Sequence, residues 1–364
     1  MKISDITSAI EEYAPLSLQE SYDNSGMQVG DKRWEATGAL LCVDVTEDIV
    51  DEAIENGINL IISHHPLLFK GIKTLTGSNY IERCIIKAAS NDIAIYSAHT
   101  NMDNATKGVS CRMAEKLGLE NITALAPVSG MMMKITVFVP ETHADTVRSA
   151  LFSAGAGMIG NYDSCSYNMA GYGTFRARQG ANPYCGEIGE LHHENETRIE
   201  AVFPSYKKYE VVRQMQKAHP YEEPAYDIIK LENPIKNTGA GAIGELMCPM
   251  DEVDFLERIK SVFHCGILKH SALTGKKVRR VAMCGGSGSF LIEEAIRAEA
   301  DVYITAEIGY HDYFRAEGDI LLVDAGHYET EQYTKDIFCD IITKKFPTFA
   351  IHYTKVGMNP VNYL

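Results

Sequence analysis

The sequence predicts an α/β protein whose two similar halves, each a mixed sheet with flanking helices, are interrupted by a smaller α+β module. Three observations carry that prediction. Apolar, β-branched runs alternate with helical periodicity over residues 38–100 and again over 279–326. From about 130 to 232 the rhythm changes to helices separated by antiparallel-looking strands. Side chains with metal-binding chemistry fall where the apolar runs stop, and in open parallel sheets ligands bind at the strand ends. The expected boundaries are 1–128 for the first half, 129–234 for the insertion and 235–364 for the second half.

Apolar side chains at Ile3, Ile6, Ile10 and Tyr13 recur at spacings of three and four, so a helix opens the chain and Pro15 ends it. Residues 22–30 cluster Asp, Asn and Gly as tight turns require. Residues 39–44 read as a buried strand, 47–57 as a helix closed by Gly57, and 59–62 as a second strand, which together make a β-α-β unit. A helix over about 79–90 and a strand over 93–97 continue the pattern. In the insertion, a strand at 134–139, a helix at 141–154, two short strands within 163–178, a strand at 198–203, a helix at 205–217 and a strand at 225–231 suggest a ferredoxin-like β-α-β-β-α-β module. Beyond it come helices near 251–262 and 289–298 and buried strands at 281–284, 302–305 and 320–324.

Composition narrows the function classes. The chain has 364 residues, 45% of them hydrophobic, and a formal net charge of −15, which argues against a protein that tracks a phosphate backbone. Nucleic acid is therefore not the expected partner. The nine cysteines are an odd number without a C-x-x-C pair, as expected of reduced thiols in a reducing compartment. Neither an apolar leader nor a window of 18 apolar residues stands out, so the expected location is the cytoplasm, with no membrane contact.

His64 and His65 follow the buried run Ile61-Ile62-Ser63 and precede Pro66. Adjacent side chains on extended backbone point to opposite sides, so the pair can serve two metal ions rather than chelate one. Asp103 follows the strand at 93–97, and His327 with Glu331, four residues apart on one helical face, follows the strand at 320–324. Each cluster alone has an ordinary alternative: core histidines, a turn aspartate, a surface helix pair. Together they favour a metal site. Imidazole and carboxylate suit Zn, Fe, Mn, Co or Ni, and a carboxylate can bridge two ions about 3.5–4 Å apart in a hydrolytic centre.

Six segments, 22–30, 63–71, 99–103, 155–163, 219–227 and 326–331, resemble the signatures of the Nif-three-like family, whose members are commonly labelled GTP cyclohydrolase 1 type 2 homologs. The likeness runs over nearly the whole chain. It implies two divalent ions per subunit (Zn, Fe or Mn) held by His64, His65, Asp103, His327 and Glu331, with Glu331 as the bridge. It also implies a PII/CutA-like insertion and a toroidal homohexamer whose sites face an internal cavity. One departure is Thr305-Ala306-Glu307, where relatives often carry a glycine before the acid, so no role that needs a glycine backbone is carried over to Ala306.

Other residues have two readings. His99 orients Asp103 or a water, or is a satisfied structural histidine; Glu307 and His311 are cleft residues, or a helix-start carboxylate and a surface histidine. Gly285-Gly286-Ser287-Gly288 lacks the Lys-Ser/Thr of a P-loop and reads as a tight turn rather than a phosphate cradle. His192-His193-Glu194 reads as a solvated loop, and 219–224 as a proline-rich structural corner. The function expected is metal-dependent hydrolysis of a small nucleotide-like or phosphorylated substrate, with water activated by the ions and no dedicated side-chain base. GTP ring opening at C8 is the reaction implied by the family label. The alternative is a non-catalytic metal-binding hexameric scaffold or regulator.

Overall fold

The computed structural model describes residues 1–357 and 359–364. It divides into two compact units, Met1–Pro127 with Asn237–Leu364, and Val128–Lys236. The first unit opens with α1 (Ile3–Tyr13), β1 (Gly26–Val29), β2 (Ala39–Cys42), α2 (Glu47–Glu55), β3 (Leu60–Ser63), α3 (Tyr80–Ser90) and β4 (Ala94–Ser97). Two short helices, α4 (Thr100–Asp103) and α5 (Val109–Lys116), and the strand β5 (Glu120–Pro127) lead out of it.

β2, β3 and β4 pair in parallel and are buried at every position. The alternation of side chains explains why. Leu41, Ile62 and Tyr96 pack on Ile3, Ile6 and Ile10 of α1, while Leu40, Ile61 and Ile95 on the other face pack on Ile49, Val50 and Ala53 of α2 and on Cys84 and Ile85 of α3. Each such side chain contributes about 1.5–3 kcal/mol by leaving water, so polar groups are excluded until the strands end. Ser63 and Ser97 mark that end, their hydroxyls 2.8 Å apart.

The second unit is the insertion: β6 (Met132–Pro140), α6 (Ala144–Ser153), β7 (Tyr167–Arg176), β8 (Leu191–Pro204), α7 (Lys208–Ala218) and β9 (Tyr226–Leu231). Its four-stranded antiparallel sheet has the order β7-β8-β6-β9. Two expectations are corrected here. Residues 163–178 hold one long strand, not two short ones, and His192-His193-Glu194 lies within β8 rather than in a solvated loop. The reason is a continuous ladder of ten residue pairs between β7 and β8, from Tyr167 opposite Glu200 to Arg176 opposite Leu191. His219, at the corner before β9, is buried, with Nε2 2.9 Å from the Phe138 carbonyl and Nδ1 accepting from the Tyr221 N–H.

Back in the first unit follow β10 (Gly239–Asp251), α8 (Glu252–Phe263), β11 (Lys269–His270), β12 (Lys277–Ser287), α9 (Ile292–Arg297), β13 (Val302–Ala306), β14 (Leu321–Asp324), α10 (His327–Glu331), α11 (Thr334–Lys345) and β15 (Ile351–Tyr353). β15 and β1 are the edges of the first sheet, order β1-β4-β3-β2-β15; the second sheet has the order β11-β14-β13-β12-β10-β5. Its parallel core β12, β13 and β14 repeats the packing logic of the first. Val281, Val302 and Leu321 face Phe255, Ile259 and Phe263 of α8, and Ala282, Tyr303 and Leu322 face Ile292 and Ala295 of α9. The overall class is mixed α/β.

Candidate metal centre

The ends of β3, β4, β12 and β14 open on one cleft of about 410 Å³, whose lining includes His65, His99, Asp103, Gly285, His327 and Glu331. His64 lies just beneath, fully buried. Glu331 is at its centre, delivered by the single turn of α10 and 3% exposed. Its two oxygens face different partners. Oε2 is 2.9 Å from Nε2 of His65 and 3.1 Å from Nε2 of His327, and these two nitrogens are 3.3 Å apart. Oε1 is 3.5 Å from Nε2 of His64, which is itself 3.7 Å from Oδ1 of Asp103.

Every imidazole is held from behind. Nδ1 of His64 is 3.0 Å from the Ala98 carbonyl, Nδ1 of His65 is 2.8 Å from Asp44, Nδ1 of His99 is 2.8 Å from Asp23, and Nδ1 of His327 is 3.0 Å from Glu307. An acceptor at Nδ1 keeps the proton there and leaves the Nε2 lone pair free to bind a metal, the arrangement found behind most metal-ligating histidines. Asp23 is itself fixed, accepting from the Thr100 hydroxyl and backbone N–H and from Asn24. Asp23 and Asp44 come from loops far along the chain, and sequence reasoning missed their part in this arrangement.

The side chains present fit divalent cations. Nε2 of His64, Oδ1 of Asp103 and Oε2 of Glu331 are buried without an aligned hydrogen bond, close as Oε2 is to two imidazoles. Such groups are costly to bury unless something else satisfies them. Donors about 2.1 Å from a common ion stand about 3.0–3.4 Å apart in octahedral or tetrahedral geometry, and the donors around Oε2 are already at that spacing. Charge points the same way. Burial would raise Glu331, but His64, His327 and His65 hold it well below the usual carboxylate range. Burial lifts Asp103 above that range despite the nearby His64. Burial would lower His65, yet the carboxylates of Asp44 and Glu331 push it up to about 11; His327, likewise opposed by burial, is pushed up to about 9 chiefly by Glu331. Glu331 thus draws protons onto His65 and His327, and Asp103 is driven to hold one itself, a shared demand for positive charge that a cation meets.

The glycine turn belongs to this geometry. Gly286 has φ +62°, and a Cβ there would stand 2.2 Å from Oε1 of Glu331 and 3.2 Å from Nε2 of His327. Its N–H donates to Thr330 and that of Gly285 to Ser110, so these donors are spent within the fold, as the tight-turn reading expects. At the departure from the family pattern, Ala306 ends β13 in ordinary buried strand, and it is Glu307 that takes a left-handed φ of +56°. That turn aims its carboxylate at His327. His99 is close enough to His64 and His65 to share an ion with them, one ligand atom from each lying within 4.8 Å of the others. His311 is not brought to the cleft; it is exposed and stacks with Tyr310 and Phe314.

A model of the family described as Duf34/NIF3 (NGG1p interacting factor 3) matches residues 1–360. The chain is a member of the Duf34/NIF3 family. It is 40% identical over 332 residues to a protein of Halalkalibacterium halodurans named GTP cyclohydrolase 1 type 2 homolog, covering 90% of this chain and 89% of that one. A Bacillus subtilis protein of the same name is 35% identical, covering 97% and 94%. Among solved structures, a Bacillus cereus protein related to NIF3 superposes with a TM-score of 0.88 at 37% identity, covering 100% of this member and 99% of that chain. Among the described residues of this member, no helix is long and apolar enough to cross a membrane.

Proposed function

We propose that this protein is a metal-dependent hydrolase with a dinuclear centre, acting on a small nucleotide-like or phosphorylated substrate. The observation that carries the reading is the division of Glu331, one oxygen toward His64, which Asp103 also approaches, and the other toward His65 and His327. His64, Asp103 and Oε1 of Glu331 would hold one divalent ion, and His65, His327 and Oε2 the other, with Zn, Fe and Mn all suited to the donors. When bound, such a pair supplies charge that polarises a substrate oxygen and makes nearby water more acidic.

The chain's own residues do the rest. Asp44, Glu307 and the Ala98 carbonyl keep the imidazole protons on Nδ1, so each Nε2 faces inward. His99, anchored by Asp23, offers a further nitrogen beside His64 and His65. Tyr22, Phe69 and Phe290 line the cleft with rings that remain substantially exposed, and exposed rings of this kind stack on planar bases. Among the described residues no Lys or Arg lines the cleft, which favours recognition by stacking over a cationic phosphate cradle. The name carried by the curated relatives makes GTP, opened at C8 with release of formate, the first substrate to test.

The insertion is proposed to be a PII/CutA-like module, a reading supported by its β-α-β-β-α-β order. Assembly into a toroidal homohexamer is proposed from the family resemblance. Nine free cysteines support a reducing, cytoplasmic setting. Element analysis of purified protein beside His64→Ala and Glu331→Ala tests the centre: about two ions per chain should fall to one or none, and unchanged content would refute it. A panel of nucleotides, phosphoesters and cyclic amides, with Asp103→Ala as control, tests the hydrolase. If no substrate turns over while the metal is held tightly, the scaffold reading replaces it.

A further inference from the structure

We propose that the inserted unit carries a second, separate metal site, made by Cys185, His192 and Glu194, that takes a thiophilic divalent cation such as Zn²⁺. One ligand atom from each of the three lies within 4.8 Å of the other two. Nε2 of His192 is 2.8 Å from Oε2 of Glu194. Thiolate, imidazole and carboxylate together suit a borderline-soft ion, and three protein ligands leave a position open for an exogenous one.

The strand builds half of the site. Along residues 191–196 of β8 the even-numbered side chains are partly covered and the odd-numbered ones exposed, so His192, Glu194 and Glu196 share the covered face. Their partners across the ladder are Phe175, Gly173 and Gly171. The Phe175 ring walls one side of His192 at 5.3 Å between centroids, and the two glycines leave the carboxylates room. A Cβ on Gly173 would stand 2.3 Å from Oε2 of Glu196, so the space is already in use by the acidic side chains.

The loop supplies the thiol. Gly186, at φ +78°, brings the chain over the histidine; a Cβ there would stand 2.9 Å from Cβ and Cγ of His192. Cys185 is thereby set over the strand face, 3.8 Å from the Tyr221 hydroxyl, which donates in turn to Glu196 at 3.1 Å. Binding would exchange the Cys185 proton for the cation, since the thiolate is the ligand. It would also tie the Cys185 loop to β8. That loop contributes Pro183 and Tyr184 to the lining of a cavity of about 550 Å³ within the same unit, with Tyr221, Phe138 and Met169 among its other walls, so occupancy would fix the shape of that cavity.

The side chains grouped around Glu331 are imidazoles and carboxylates, and the one thiol lining that cleft, Cys284, donates to the Gly285 carbonyl, so a thiolate signal that depends on Cys185 distinguishes the two sites. The full-length protein, stripped of metal under reducing conditions, is titrated with Co²⁺. A thiolate-to-cobalt charge-transfer band in the near ultraviolet is expected in the wild type and in Glu331→Ala. It should vanish in Cys185→Ser and lose most of its intensity in His192→Ala, with the far-ultraviolet circular dichroism of each variant unchanged. Absence of the band from the wild type, its survival in Cys185→Ser, or its loss in Glu331→Ala would each overturn the proposal. Because the readout is spectroscopic, failure of the hydrolase reading leaves this test intact.

Discussion

Glu82 and Glu331 are both buried carboxylates in the same α/β unit, at 5% and 3% exposure, and the fold treats them in opposite ways. Glu82 sits in the first turn of α3 and is surrounded by donors. Its oxygens accept from the backbone N–H groups of Thr76 and Ser78, from both of their hydroxyls and from the Asn79 amide, at 2.8–3.1 Å. Those bonds, the Thr76 N–H foremost, hold it down at about 2. Glu331 is surrounded instead by the Nε2 atoms of imidazoles anchored through Nδ1, and Oε2 is left without an aligned hydrogen bond. A carboxylate that the chain satisfies itself closes a loop; one that it buries and leaves wanting is prepared for a cation.

The comparison breaks most visibly at Glu331. Glu331→Gln removes the charge with little change in volume, and metal content should fall from about two ions per chain to one or none, with any hydrolytic activity falling to background. Elemental analysis decides; full retention of both ions would mean that Glu331 is not the shared ligand. One step outward, Asp44→Asn leaves every donor to the ions in place but weakens the anchor behind His65. Competition with a chromophoric chelator should show affinity lower by about 10–100-fold, and an unchanged constant would deny Asp44 its orienting role.

Gly286→Ala tests how tightly the turn is fitted under Glu331. The left-handed backbone alone costs a residue with a Cβ about 1–2 kcal/mol, and the methyl would displace Oε1 of Glu331. Chemical denaturation should show that loss of stability. Metal occupancy should fall with it, an effect that an alanine at the open position of Gly71 should not reproduce.

Much of the architecture was legible because it rests on local pattern. The runs at 39–42, 60–63 and 94–97 are apolar on both faces, so they announce buried parallel strands, and the first polar residues after them announce the cleft. His64 and His65 directly after 60–63, Asp103 a few residues beyond 94–97, and His327 with Glu331 beyond the run 321–324 stood out in this manner, and the structure brings them together. What stayed hidden depends on distant pairing. Asp44 lies 21 residues before His65, and Asp23 lies 76 before His99, and no periodicity ties such pairs. β10 was not recognised as a strand because the small residues of Gly239–Gly244 show no apolar alternation; its pairing with β5 and β12 is what makes it one. His192–Glu194 was misread because a half-exposed strand with polar side chains on both faces has no apolar alternation to betray it.

The smallest effect is expected at Glu82, and its sign separates the two carboxylates. Glu82→Gln should leave metal content untouched, since none of its partners belongs to the cleft. It should lower the melting temperature at neutral pH, because an amide cannot accept from five donors with both ends. The native pKa, about 2, lies below that of an unfolded glutamate, about 4.3. The stabilisation from Glu82 is therefore complete above the unfolded value and is lost as pH falls through the native one. The gap between the melting curves of wild type and Glu82→Gln should consequently stay constant from neutral pH down to about 5 and close as pH falls from about 4 toward 2. A gap that stayed constant with pH would assign the effect to shape rather than charge, and the contrast with Glu331 would then rest on geometry alone.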